Sequence, residues 1–268
     1  MRLLPLILRY VGRNRRRTVL RVLSLAVPFL LLMVLQMALD GMDQWMARAD
    51  KNLRVVVFHK MGLVFDLPES YSSKLKTIPG VLAVCPFTWY GGLHKGPKDM
   101  FSSLSVDPET FRTVWPEGEL DPKDYEQFKR ERTGAMIDTR LSEKFGLKRG
   151  DEVTLKGTVR PIDLKFKICG TIKDSVDPNG FYFHRAYMEE ALNRPGICSD
   201  FWVMVDSGAN IPRVQRAAIE MFANSPYEVK AEVEKDFVNM FLSMSGNIRG
   251  LVHGIGMMVV ALIMLVAA

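Results

Sequence analysis

The side chains best suited to chemistry in this 268-residue chain are few and scattered. Its four imidazoles, His59, His94, His184 and His253, form neither an H-E-x-x-H nor an H-x-x-x-H arrangement, so no helix face presents two nitrogens to one zinc ion. Cys85, Cys169 and Cys198 are too few and too far apart for a zinc site. They allow one disulfide at most, and the apolar strand patterns around Cys85 and Cys169 suit small buried residues. Glu189 and Glu190 are neighbours on a predicted helix, where adjacent side chains diverge rather than work as acid and base. No G-x-S-x-G elbow occurs. A phosphate-cradling G-x-x-x-x-G-K-[ST] loop is most nearly approached at Gly91–Gly96, but Pro97 stands where the lysine is needed. The chain is therefore expected to be no enzyme and to hold no cofactor or metal, and any ATP hydrolysis must come from another polypeptide.

What does have a pattern is the charge. Seven of the 36 basic residues precede Val22 (Arg2, Arg9, Arg13, Arg15, Arg16, Arg17 and Arg21), whereas all 30 acidic residues lie at or beyond Asp40. The remaining 29 basic residues face those 30 acids, so the net charge of +6 belongs to the N-terminus and a general nucleic-acid surface is excluded. On a 3.6-residue period Arg2, Arg9, Arg13 and Arg16 share a stripe apart from Leu3, Leu4, Ile7, Leu8 and Val11. That suits a helix lying on the inner leaflet with its arginines toward anionic lipid or a cytoplasmic partner; the same cluster would also serve simply to orient the chain.

The elements that follow are membrane-like. From Val22 to Leu39 no charge occurs over 18 residues, about 27 Å of helix against a hydrocarbon core of roughly 30 Å. Arg21 can snorkel to the headgroups, and neighbouring helices can satisfy the carbonyl freed by Pro28. A cleaved signal would need small residues soon after its apolar run, but the A-x-A pattern at Ala47 and Ala49 comes only after Asp40, Asp43 and Trp45. With arginines before the span and mostly acidic residues after it, Met1 is expected in the cytoplasm and the chain beyond Asp40 outside. A second uncharged run, Gly250 to Ala268, returns inward, and no polar flank follows it, so the sequence is expected to be truncated with further spans missing. Gly246, Gly250 and Gly254 recur every fourth residue, a face on which another helix can pack closely; glycine is also tolerated in membrane helices without such a role.

These features divide the chain into a basic cytoplasmic segment (1–17), a first span (18–40), an extracytoplasmic domain (41–245) and a second span (246–268). Within the domain, "NLRVVVFHK", "PESYSSKLKTIPG" and "VLAVCPFTWYGGL" read as strand, helix and strand. The order repeats in "FWVMV", "IPRVQRAAIEMF" and "YEVKAEVE". Two separated β-α-β units predict a ferredoxin-like α+β layer, about 50–107 and 200–235, split by a small β-rich lobe at about 108–199. Asp107 to Gly134 is polar and turn-rich with little strand signal. In "IDTRLSEKFGLKRGDEVTLKG", Asp138 or Thr139 can cap a short helix and Gly146 can close it before the strand "EVTL". "LKFKICGTI" alternates as a strand, and "FYFHRAYMEEAL" is a strand entering a helix. "AEVEKDFVNMFLSMSGNIRG", Ala231 to Gly250, is expected to run as one helix into the second span.

This order of parts resembles the MacB-like and FtsX-like ABC transporter permeases, which include the lipoprotein-releasing permeases. The resemblance covers essentially the whole chain and is most specific from Ile137 to Ile172, where Gly170 stands at a family glycine and Cys169 just before it. It implies an α-helical membrane protein with a large extracytoplasmic domain and four spans, of which two are present. It further implies a permease of the mechanotransmitting type: a partner ATPase subunit in the cytoplasm, a second copy or a related permease forming a dimer in the lipid, and stalks that carry movement to the outside domain. A two-span sensor with an extracytoplasmic ligand-binding domain is the alternative; an anchored extracytoplasmic enzyme is disfavoured by the missing catalytic constellation.

Overall fold

The computed structural model describes residues 15–49, 52–96, 99, 101–175, 177, 179–244 and 248–267. They form two compact units, Met1–Ala47 with Val238–Ala268, and Arg48–Phe237.

The first unit contains helix α1 (Arg15–Ala49), with Pro28 inside it, and further along the chain helix α9 (Ile248–Ala267). Apolar side chains stand exposed on several sides of α1, among them Val22, Leu30, Met33 and Met37, while Pro28, Leu32, Leu35 and Leu39 form a half-buried stripe. Among the described residues no helix is long and apolar enough to cross a membrane. The side chains of Arg15, Arg17, Thr18, Arg21, Ser24, Leu25, Ala38, Met42 and residues 44–49 in α1, and of Ile248, Arg249 and every residue after Ala261 in α9, fall outside that description.

The second unit is built on β1 (Arg54–His59), β3 (Val81–Trp89), β12 (Asp200–Val205) and β13 (Val229–Val233), in the order β13-β1-β12-β3 with every neighbour antiparallel. In chain order this is 4-1-3-2, the arrangement of a split β-α-β pair. Its helices are α2 (Tyr71–Leu75) and α7 (Ile211–Phe222). Pro212 fits the first turn of α7, and Val214, Ala218 and Phe222, four residues apart, are buried together. Phe222 stacks on Tyr71 of α2 at 3.9 Å between ring centres. Beneath them lie Val55 and Val57 of β1, paired across the ladder with Val203 and Phe201.

The inserted segment does not make a separate lobe. β5 (Ser102–Val106) pairs with β3 through Phe87↔Val106, Thr88↔Ser105 and Trp89↔Leu104. The sheet then continues through β10 (Gly180–His184), β7 (Gly134–Asp138), β9 (Asp163–Lys173) and β8 (Glu152–Gly157) to β4 (Gly92–Leu93). The short β6 (Glu119–Leu120) pairs with β9, giving eleven strands in all among the described residues. Only β5–β10 and β7–β9 are parallel. The free edge of β3 supplies the hydrogen-bonding groups that β5 needs, which is why one ladder joins both halves. Apolar packing nevertheless divides: a second cluster around Phe166, Phe181 and Phe183 is distinct from the one under α2 and α7. Beside the main sheet, β2 (Leu67–Pro68) pairs with β11 (Ile197–Cys198).

Two helices occur where the sequence suggested only turns. α3 (Pro108–Val114) and α4 (Pro122–Arg130) each begin with an aspartate cap and a proline, Asp107 accepting from the Glu109 N–H at 3.2 Å and Asp121 from that of Lys123 at 2.8 Å. The same device opens α5 (Thr139–Phe145), where Asp138 accepts from the Arg140 N–H at 2.8 Å and Gly146 closes the helix at φ 68°. Helix α6 (Arg185–Leu192) follows β10 directly. The single helix expected from Ala231 is shorter: Ala231–Val233 complete β13 on the open edge of β1, and α8 runs from Glu234 to Met244. Residues 234–237 of α8 belong to the second unit and the rest to the first.

Candidate functional site

The second unit receives the chain from α1 at the start of β1 and returns it at the start of α8. Both points carry a charged residue that is buried. Arg54 opens β1, and because Val55 and Val57 point into the core under α7, its side chain lies on the opposite sheet face. Only 1% of Arg54 is exposed, and the same holds for Glu234, the first residue of α8. The two form a two-pronged pair, Nε to Oε2 at 2.6 Å and Nη2 to Oε1 at 3.1 Å. Such a fork is the geometry in which a guanidinium and a carboxylate bind most strongly.

Other groups complete the shell. Nη1 of Arg54 donates to the Val114 carbonyl at 2.9 Å and lies 2.5 Å from a carboxylate oxygen of Glu117. The guanidinium carbon is 5.9 Å from the centre of the Trp115 ring. Trp115 leads an aromatic layer on this face: Trp202 at 5.1 Å, then Phe237 of α8 at 5.6 Å, with Phe58 of β1 also 5.6 Å from Phe237. Burial holds the Glu234 carboxyl above its ordinary range; the bonds and charge of Arg54 oppose that rise, and Glu117 adds to it. Glu234 occupies the first turn of α8, where the positive end of the helix dipole favours a carboxylate. The pair fastens the first residue of β1 to the first residue of α8.

In the first unit, a Cβ on Gly256 of α9 would meet Leu32 of α1 at 3.5 Å, so this glycine allows the two helices to approach. An apolar groove of about 700 Å³ runs beside the contact between Leu35, Leu39, Val252 and Val260, with Gln36 and His253 at its polar end. Gln36 donates to Asp40 at 3.0 Å.

Gly254 of the expected packing stripe has open space where a side chain would project, and Gly250 is exposed. Gly246 lies outside the described residues, as do Arg2, Arg9 and Arg13; Arg16 is exposed on α1. Gly256 was not singled out in the sequence, because its partner Leu32 is more than two hundred residues away in the chain.

All three cysteines are free and buried, and burial pushes the thiols of Cys85 and Cys169 up to about 12 and about 11. His184 touches the Phe128 carbonyl through Nε2 at 2.5 Å, and His59 stacks on Phe65 at 5.2 Å. Among the described residues no group of three or more His, Cys, Asp or Glu side chains could hold a metal ion.

Residues 22–221 match the family model of the MacB-like periplasmic core domain. The chain belongs to this family. The matched stretch covers the sheet as far as α7 and stops before β13, the strand that completes its edge. The fold is similar to the periplasmic region of MacB from Actinobacillus actinomycetemcomitans, at a TM-score of 0.51 and 11% identity over 71% of this chain and 92% of that one. It is similar also to the extracellular domain of the noncanonic ABC-type transporter YknZ from Gram-positive bacteria, at a TM-score of 0.51 and 14% identity over 67% and 98%. Among curated protein sequences none matches. The family places the chain among ABC transporter permease-like, membrane-associated proteins that carry an extracytoplasmic α+β domain.

Proposed function

We propose that this chain is a transmembrane permease subunit of an ABC transporter of the mechanotransmitting type, in which a cytoplasmic partner hydrolyses ATP and the chain converts that event into movement of its extracytoplasmic domain. The observation that carries the reading is the pairing of Arg54 with Glu234. Movement of a helix arriving at either end of the domain reaches the sheet through one buried, hydrogen-bonded contact, whereas a flexible linker would dissipate it.

In this reading segment 18–40 of α1 and segment 246–268 with α9 cross the membrane, segment 1–17 lies in the cytoplasm and 41–245 outside. The exposed apolar side chains of α1 support it, since a helix apolar on several sides is stable when lipid rather than water surrounds it. Arg2, Arg9, Arg13 and Arg16 meet anionic headgroups or the ATPase subunit. A second permease copy, identical or related, packs on the side of α9 that carries Gly250 and Gly254, away from the Gly256 contact with α1. Whatever cargo is released or exported, this chain moves it without chemistry of its own.

The test is affinity purification of the full-length chain in mild detergent, with identification of its co-purifying proteins and an ATPase assay. A stoichiometric subunit with a phosphate-binding loop, and turnover lost when that loop's lysine is replaced, is the expected result. Isolation of the chain alone or with a signalling protein, without ATPase activity, overturns the proposal.

A further inference from the structure

Arg54 faces two carboxylates, and they differ in what holds them. Glu234 belongs to α8, the helix that leaves the domain, and its side chain is 0% exposed. Glu117 belongs to the turn after α3 and its side chain is 33% exposed. That turn is fixed to the sheet: Arg112 donates to the Gly118 carbonyl at 2.5 Å, and no side chain fits at Gly118, because a Cβ there would meet Ile172 of β9 at 2.5 Å. Three further contacts of the guanidinium, the Val114 carbonyl, the Trp115 ring and Glu117, therefore come from one anchored segment, and only Glu234 comes from the helix.

Two carboxylates around one guanidinium repel each other, and Glu117 pushes the Glu234 carboxyl upward. While α8 is docked, the attraction of Glu117 for Arg54 is offset by its repulsion of Glu234. Once Glu234 withdraws, the repulsion vanishes and the attraction remains. A group whose interaction is more favourable in one of two states shifts the population toward that state. We propose that Glu117 is a stand-in counter-ion that takes over Arg54 when α8 undocks, so that the joint between sheet and helix can open without leaving a bare buried charge. This rests on the mechanotransmitting reading above, in which α8 has to move.

The sign of one substitution separates this role from ordinary stabilisation. Hydrogen exchange is followed at the amides of Val238 to Met240 in α8, using the full chain in mild detergent without nucleotide. Glu117→Gln leaves the docked pair of Arg54 with Glu234 and removes the substitute, so exchange is expected to slow by about fivefold, the worth of one partly exposed ion pair. Glu234→Gln is expected to accelerate it. Combining Glu117→Gln with Glu234→Gln should give no slowing relative to Glu234→Gln alone, because the repulsion is already absent. Faster or unchanged exchange in the Glu117→Gln chain would show that Glu117 holds the joint closed or does nothing, and either result overturns the proposal. The transport reading is tested separately by adding the ATPase subunit and nucleotide. If α8 exchange ignores nucleotide while Glu117→Gln still slows it, the counter-ion role stands and the coupling to ATP falls.

Discussion

Replacement of Asp200 by asparagine should remove a pH dependence of stability that the wild-type chain carries. Asp200 opens β12 between Phe58 and Phe87, is 5% exposed, and has one carboxylate oxygen without a hydrogen-bond partner. Burial pushes its pKa from 3.8 up to about 8; the Trp202 indole, two residues along the same strand face, is near enough to oppose the shift but not to form a hydrogen bond. The folded chain therefore keeps a proton that the unfolded chain releases above its ordinary carboxylate pKa. Stability is full at low pH, falls as pH rises, and levels off only above the folded pKa. The slope between those limits is about 1.4 kcal/mol per pH unit, so pH 7 is about 2.7 kcal/mol less favourable than pH 5 through this group alone. Urea unfolding of the full chain in mild detergent, followed by tryptophan fluorescence at pH 5, 6, 7 and 8, measures it. Since other groups titrate equally in both proteins, the quantity to plot is the difference between wild type and Asp200→Asn. The asparagine chain should gain on the wild type steadily from pH 5 to pH 8, whatever its offset at pH 5. A flat difference would mean that Asp200 is hydrated or paired, and the argument from burial would fail.

Arg54→Leu should destabilise the chain by about 3–5 kcal/mol, because Glu234 is left buried without its partner. The double replacement Arg54→Leu with Glu234→Leu should be less damaging than either single one, again read by urea unfolding. Asp107→Ala and Asp121→Ala should each cost about 1 kcal/mol by removing the caps of α3 and α4, also read by urea unfolding. An aromatic disulfide reagent at pH 8 should titrate none of the three thiols in the folded chain and all three after denaturation, given that every cysteine is free and buried.

The regular elements follow from local signals that a single sequence carries. β1 reads as a continuous apolar run and is buried on both faces. α7 has its proline in the first turn and apolar residues four apart. The Gly146 stop of α5 lies where glycine alone adopts the left-handed conformation cheaply. α3 and α4 lie in a stretch whose polar, turn-rich composition hides them; in each, Asp-Pro supplies a cap followed by the residue best suited to a first helical turn. The joining of both halves into one sheet was not legible either. β5, "SSLSV", has too many serines to read as an interior strand, and its place depends on pairing with β3 and β10 rather than on its own apolar content.

The candidate site was hidden for a different reason. Arg54 stands in a strand whose neighbours are apolar, and Glu234 stands in a run of alternating charge, "EVKAEVEKD", in which it looks like any solvated acid. What sets it apart is that β13 pairs with β1 in the register Val55↔Val233, which carries the next residue, Glu234, to the end of β1 where Arg54 lies. Thus a contact between residues 180 positions apart is fixed by the ladder between two strands and by the helix start that follows the second. Shifting β13 by one residue would turn its buried Val229 and Ala231 outward and pull the carboxylate from the guanidinium in one step. The register of the edge strand and the integrity of the ion pair therefore enforce each other, and a force on α8 that broke the pair would load the β1–β13 ladder next.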